Sequence, residues 1–241
     1  MITELIMLFV SAILFYCAVK IARSAKPILK QPERFLVYYL MGCGIAIFLY
    51  MMRMFLVWHG PVPDVVGASL PDQWSVPILC YKLGGAFHIF GMLSAMVFAG
   101  LLFTRRGEKF WRIILLVLFV SLLAVFMPAE LLCDRIMIEP YEIFVSARTE
   151  YLLAGAGFAQ FAMLIPLLLF ILIPVLGFAV HGFRTKGGER TKSLLFSLGF
   201  LVMIVAAILD GLAPWPALLF LWRILYGVSG VITYSAFKIK I

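Results

Sequence analysis

Long apolar runs separated by short polar connections make up most of this chain. A transmembrane helix needs about 20 predominantly apolar residues, because the hydrocarbon core of a bilayer is about 30 Å thick and an α-helix rises about 1.5 Å per residue. Runs of about this length occur at residues 2–22, 35–58, 77–103, 110–127, 151–180, 193–212 and 216–237. The pattern predicts an all-α polytopic membrane protein, a single bundle of seven transmembrane helices over residues 1–241 with no soluble domain.

The first and fifth runs carry additional signals. The first begins Met-Ile-Thr-Glu, without basic residues, and no small-residue cleavage site follows it. We therefore expect it to stay as the first span rather than to be removed as a signal peptide. The fifth run contains Pro166 and Pro174. Because proline removes a backbone hydrogen bond inside a helix, we expect a kink there.

The composition agrees with a membrane protein and excludes other classes. Hydrophobic residues make up 64% of the chain and charged residues 13%. Ordinary globular chains are about 45–50% apolar and about 25% charged. Soluble enzymes, disordered chains, coiled coils and disulfide-rich secreted domains are therefore excluded.

The net charge of +8 reflects orientation in a membrane rather than nucleic-acid binding. Fifteen of the twenty Lys and Arg residues lie in the connections 20–34, 104–112 and 181–193 and in the tail after Phe237. All of these fall on one side of a seven-helix bundle. The positive-inside rule then predicts a multi-pass protein of the plasma (inner) membrane, with the N-terminus outside and the C-terminus in the cytoplasm.

An internal repeat would explain the spacing of proline and glycine. In the third run Pro77 and Gly91 are 14 residues apart, and in the seventh Pro216 and Gly230 have the same spacing. This suggests a 3+1+3 plan in which the run at 110–127 links two repeats. Such repeats occur in transporters, which bind their substrates at the repeat interface. The alternative is that helix ends look alike in any membrane protein.

Ionisable residues inside the apolar runs are the main functional signal. Each costs roughly 2.5–3.5 kcal/mol to insert into a membrane, so each marks a candidate site. The residues predicted to face a shared outer region are Arg53, Lys82, His88, Gln160, Asp210 and Arg223. Because three are permanent cations and only one is a carboxylate, the group predicts an outward-facing cationic pocket for a small anionic ligand.

A structural explanation of the same residues stays open. Arg223 could pair with Asp210 in a buried network, and Arg53 and Lys82 could extend their charged ends to the membrane surface. These arrangements would stabilise the bundle without binding any ligand.

Cysteine and histidine spacing argues against a metal site. The four cysteines contain no CxxC pattern and the three histidines fall at different depths, so we predict no metal. We also predict no cofactor, with haem at His88 or a quinone as open alternatives. Cys80 and Cys133 are both expected on the outer side, where a disulfide would hold the connection 128–150 over the pocket. Two free thiols are the alternative.

No catalytic group of residues emerges, so the sequence favours a protein that is not an enzyme. Ser229, between Gly227 and Gly230, has no histidine on a later helix to activate it. We expect a transporter- or receptor-like protein in contact with membrane lipid. The alternative is a non-catalytic membrane subunit of a larger respiratory or redox complex, binding lipid or quinone and docking an outer partner. A sensor that signals to a cytoplasmic partner is a third hypothesis.

Overall fold

The computed structural model describes residues 2–24, 31–59, 76–103, 116–117, 167–212 and 216–239. These residues form six long helices and, within the described part of the chain, no strand. The helices are α1 (Ile2–Ser24), α2 (Gln31–His59), α3 (Val76–Phe103), α4 (Leu167–Arg184), α5 (Gly187–Leu212) and α6 (Pro216–Lys238). Stretches within α1 to α5 are long and apolar enough to cross a membrane. The prediction of a helical protein with helices long and apolar enough to cross a membrane is therefore confirmed for the part of the chain that the structure describes.

Apart from the start of α4, whose run begins outside the described residues, the helices begin and end close to the predicted apolar runs, with two informative differences. α2 begins at Gln31 and α5 begins at Gly187, four and six residues before the corresponding apolar runs. Both extensions place an acid, Glu33 or Glu189, in the first turn, where it interacts favourably with the helix dipole. The fourth run, at 110–127, lies outside the described residues except for 116–117. The total of seven helices and the topology therefore stay predictions.

The pairs α1–α2, α2–α3, α4–α5 and α5–α6 are antiparallel, whereas α1 and α6 run parallel, as do α3 and α4, in which Phe98 contacts Phe178 and Phe103 contacts His181. In the α2–α3 pair, Tyr38 packs against Phe90 while Tyr50 packs against Gly84. In the α1–α6 pair, Val10 lies against Gly227 and Leu14 lies against Gly230. The N-termini of α1, α3, α4 and α6 thus share one end of the bundle, which we call the Glu4 end. We call the opposite end the Lys192 end.

Large apolar side chains cover the outside of the bundle as well as its core. Exposed examples on four different helices are Phe9, Phe55, Leu172 and Val231. A soluble protein rarely exposes apolar surface of this extent, because contact with water is unfavourable. The exposed apolar faces therefore agree with a surface in contact with lipid.

α2 and α3 cross at a pair of glycines. A Cβ built on Gly42 would lie 2.9 Å from both the Cα atom of Gly91 and the carbonyl oxygen of Phe87. Only two residues without side chains can bring the backbones this close, a device common in membrane helices. The crossing fixes the register between α2, which carries Arg53 and Tyr39, and α3, which carries the candidate residue His88.

The expected irregularity at Pro174 takes the form of a π-helical turn. Residues Ile171–Val175 of α4 form this turn and include Pro174. The hydroxyl of Ser197 on α5 donates a hydrogen bond of 2.8 Å to the carbonyl of Val175. The turn is therefore tied to the next helix by a side chain. Pro166 lies outside the described residues.

Candidate functional site

Polar residues line one buried face of α6. Arg223, Tyr226, Ser229 and Thr233 are three or four residues apart, which keeps them on one side of a helix. Arg223 is 8% exposed and Tyr226 is 6% exposed, whereas Ser229 and Thr233 are each 0% exposed. At helical rise, Arg223 and Thr233 are about 15 Å apart, half of a hydrocarbon core about 30 Å thick. We call this face and the polar side chains that meet it the polar column.

A buried acid lies beside the start of the polar column. Glu4 of α1 is 7% exposed. Because α1 and α6 run parallel with Val10 against Gly227, Arg223 falls level with Ile6, within one helical turn of Glu4. Both charged side chains have interaction partners. Opposite charges at the same depth on neighbouring helices can lower the free-energy cost of burying each other.

Arg53 of α2 lies at the same depth as Glu4. The hydroxyl of Ser11 on α1 donates a hydrogen bond of 2.9 Å to the carbonyl of Gly44 on α2. Arg53 lies nine residues beyond Gly44 toward the Glu4 end, which places it level with the start of α1. Its side chain is half-buried and has an interaction partner. We call Glu4, Arg53 and Arg223 the charged cluster, and its two arginines outnumber its one acid.

His88 of α3 meets the polar column one turn deeper than Arg223. Its ring centroid lies 6.4 Å from that of Tyr226, with the ring planes at 73°. This is an edge-to-face contact of the kind aromatic rings prefer. One turn nearer the Glu4 end, the ring of Tyr50 covers Gly84, where a Cβ would lie 2.7 Å from a ring atom. α3 therefore contributes a titratable side chain to the interior of the bundle.

The structure locates three of the six predicted ligand-binding residues with their side chains. Arg223 and His88 lie in the polar column, and Arg53 lies in the charged cluster. Lys82 and Asp210 belong to α3 and α5, but their side chains are outside the described part of the chain. Gln160 also lies outside it. The pocket and the Arg223–Asp210 pair therefore stay predictions.

The disulfide prediction involves one described cysteine. Cys80 is half-buried near the start of α3, in the neighbourhood of Arg53. Cys133 lies outside the described residues, so the bridge stays a prediction.

Sequence reasoning missed two parts of this site. Glu4 carries no site prediction from the sequence, but it is buried at the same depth as the arginines. Ser229, Thr233 and Tyr39 also carry no binding prediction. The signal that could have revealed the α6 residues is their regular spacing, since polar residues at 223, 226, 229 and 233 share one helical face.

A separate apolar groove lies between α1 and α6. It has a volume of about 560 Å³, and its walls include Leu5, Phe9, Val228 and Val231, all of which are exposed on the outside of the bundle. No residue of the charged cluster lines it. In the part of the chain that the structure describes, no group of three His, Cys, Asp or Glu residues is placed to hold a metal ion.

Comparison with known proteins identifies no relative from which a function could be inferred. No protein-family model, no characterised protein and no solved structure matches the chain. Any functional assignment must therefore come from the polar column and the charged cluster.

Proposed function

We propose that this integral membrane protein is transporter- or receptor-like and binds a small anion at the charged cluster. The observation that carries the proposal is the burial of Arg223, 8% exposed on a helix packed within an apolar bundle. A permanent cation in such surroundings costs roughly 2.5–3.5 kcal/mol on insertion scales. A cationic residue retained in the bundle at that free-energy cost marks a candidate site for binding an anion.

The charge balance of the cluster favours an anion. Among the described residues at this depth, two arginines, Arg53 and Arg223, are accompanied by one acid, Glu4, which leaves an excess of positive charge. A guanidinium has five N–H donors in a planar fork that matches carboxylate and phosphate oxygens. Arg223 can therefore contact Glu4 and still present donors to a ligand. Lys82, whose position in the sequence places it near the same end, would add to the excess.

We propose that the Glu4 end faces outward. The described basic residues concentrate at the opposite end of the bundle, and they are Lys20, Arg23, Arg34, Arg184, Lys186, Arg190, Lys192 and Lys238. The positive-inside rule assigns such an end to the cytoplasm. A reporter fused after Ile241 and found outside the cell would reverse this orientation.

Anion binding should appear as stabilisation of the purified protein. We expect inorganic phosphate or a short dicarboxylate such as succinate to raise the unfolding temperature in lipid nanodiscs in a saturable way. A ligand at 100 times its Kd stabilises by about 2.7 kcal/mol. Arg53→Gln should abolish the shift and leave the bundle assembled, because this side chain is only half-buried.

The matched control for that experiment is Arg23→Gln. Arg23 is an exposed arginine of α1 at the Lys192 end, and its replacement should leave the anion-induced shift unchanged. Equal loss in both variants would indicate nonspecific screening, and no shift with any anion would contradict the proposed site.

The apolar groove between α1 and α6 supports the second candidate function. A groove of about 560 Å³ with apolar walls suits a lipid acyl chain or a helix of another subunit in a larger membrane complex. Extraction in mild detergent followed by native mass spectrometry separates the two functions. Stoichiometric partner subunits would favour the complex-subunit hypothesis, and a lone protein would favour the anion site.

A further inference from the structure

Three buried hydroxyl groups lie about one to two helical turns from the level of His88, toward the Lys192 end. Tyr39 of α2 and Ser229 and Thr233 of α6 are each 0% exposed. The Tyr39 hydroxyl lies near Ser229. Thr233 is one turn further along α6 and packs against Gly199 of α5, where a Cβ would lie 2.5 Å from the Thr233 hydroxyl oxygen. We call Tyr39, Ser229 and Thr233 the hydroxyl cluster.

None of these three hydroxyl oxygens makes a hydrogen bond of good geometry to another described residue, although the Tyr39 and Ser229 hydroxyls lie close enough to interact. Serine and threonine in a helix can bond to the carbonyl four residues earlier. Other residues of this chain do so, namely Ser24, Ser94, Thr185, Thr191 and Ser235. Ser229 and Thr233 do not use this local acceptor. Because both side chains are fully buried, any hydrogen-bond partner of their hydroxyls must lie inside the bundle.

We propose that the hydroxyl cluster binds internal water in the part of the polar column nearer the Lys192 end. A buried water typically makes about three hydrogen bonds to polar groups that would otherwise be unsatisfied, and the cluster provides such groups. Water fits better than a metal cation, because none of the three side chains carries the negative charge that would offset a buried ion.

The position of the hydroxyl cluster along α6 relates the proposed water to a transport path. Thr233 lies five residues before Lys238, which is about 7.5 Å at helical rise. The polar column therefore continues from the charged cluster to within about two helical turns of the opposite end. A receptor pocket needs polar groups only near its mouth, whereas a transporter needs them along a path. This transport meaning rests on the proposed anion site, but the water can be measured without any ligand.

Radiolytic hydroxyl-radical labelling in lipid nanodiscs tests for this water. Radicals form from water, so a buried ring is modified quickly only if water lies beside it. Phe170 and Phe200 serve as internal references, since their ring centroids lie 6.1 Å and 5.2 Å from that of Tyr39. All three side chains are 0% exposed. We expect several-fold faster modification of Tyr39 than of either phenylalanine, and equal rates would overturn the proposal.

A pair of matched variants adds a second measurement. Thr233→Val removes one hydroxyl with little change in shape, so it should slow Tyr39 labelling several-fold and lower the unfolding temperature. Ser235→Ala should change neither, because the Ser235 hydroxyl is exposed and bonds to Val231 of its own helix at 2.8 Å. A higher unfolding temperature for Thr233→Val would show a dry cluster, since removal of an unpaired hydroxyl relieves a penalty.

A cation remains distinguishable from water in the same preparation. If sodium raised the unfolding temperature relative to choline, and Thr233→Val abolished that rise, the cluster would be an ion site and the water proposal would be wrong. Loss of anion binding in a protein that still labels quickly at Tyr39 would contradict the proposed function alone.

Discussion

Replacement of Arg223 by leucine should destabilise the folded bundle by about 3–5 kcal/mol, the usual cost of leaving one member of a buried ion pair behind. Glu4 would keep its carboxylate buried at 7% exposure. The other basic residue of α6, Lys238, lies at the opposite end of that helix. The free energy of unfolding, measured by titration with a denaturing detergent, would report the loss.

A double variant, in which Glu4 and Arg223 are both replaced, identifies the cause of the lost stability. If Glu4 and Arg223 pair, then Glu4→Gln combined with Arg223→Leu should recover most of the stability, because no buried charge is left unmatched. Arg53→Leu provides the comparison, since Arg53 is half-buried at the same end and should cost much less. Additive losses from Glu4→Gln and Arg223→Leu would show that the two residues act independently and would remove Glu4 from the site.

The result also bears on what Arg223 does. If only stability is lost and the double variant still responds to anions through Arg53, then Arg223 is a positioning residue. If the double variant is stable but no longer responds, Arg223 contacts the ligand. These outcomes separate a purely structural role of Arg223 from a role in ligand binding.

Hydropathy predicted the helices well, because the free energy of placing apolar residues in lipid depends mainly on composition and length. It misplaced the start of α2 at residue 35 because the helix includes a polar first turn. There, Glu33 is favoured by the helix dipole rather than by burial. Boundaries of this kind depend on local electrostatics that an apolar run does not record.

The candidate site was harder to predict, because it depends on register between helices. The sequence marks Arg53, His88 and Arg223 as unusual, but it does not reveal that Glu4 lies level with Arg53. Hydroxyl residues such as Ser229 were overlooked for another reason. They cost little to insert into a membrane, so composition does not distinguish a hydroxyl bonded to its own helix from one that faces the interior.

Register between α2 and α3 should depend on one glycine, and a matched pair of substitutions tests this. Gly42→Ala should strongly destabilise the bundle, because its Cβ would lie 2.9 Å from backbone atoms of Gly91 and Phe87 that cannot rotate away. Overpacking of this kind typically costs about 1–3 kcal/mol.

The control for the crossing is Gly44→Ala, two residues further along the same helix. Its Cβ would lie 3.4 Å from the Cβ of Leu14, an ordinary contact, and alanine stabilises a helix by about 1 kcal/mol relative to glycine. The same unfolding titration should therefore separate the two variants in opposite directions. Equal stability would mean that the α2–α3 backbones are not in close contact. The depths of Arg53 and His88 would then not be fixed relative to each other by this crossing.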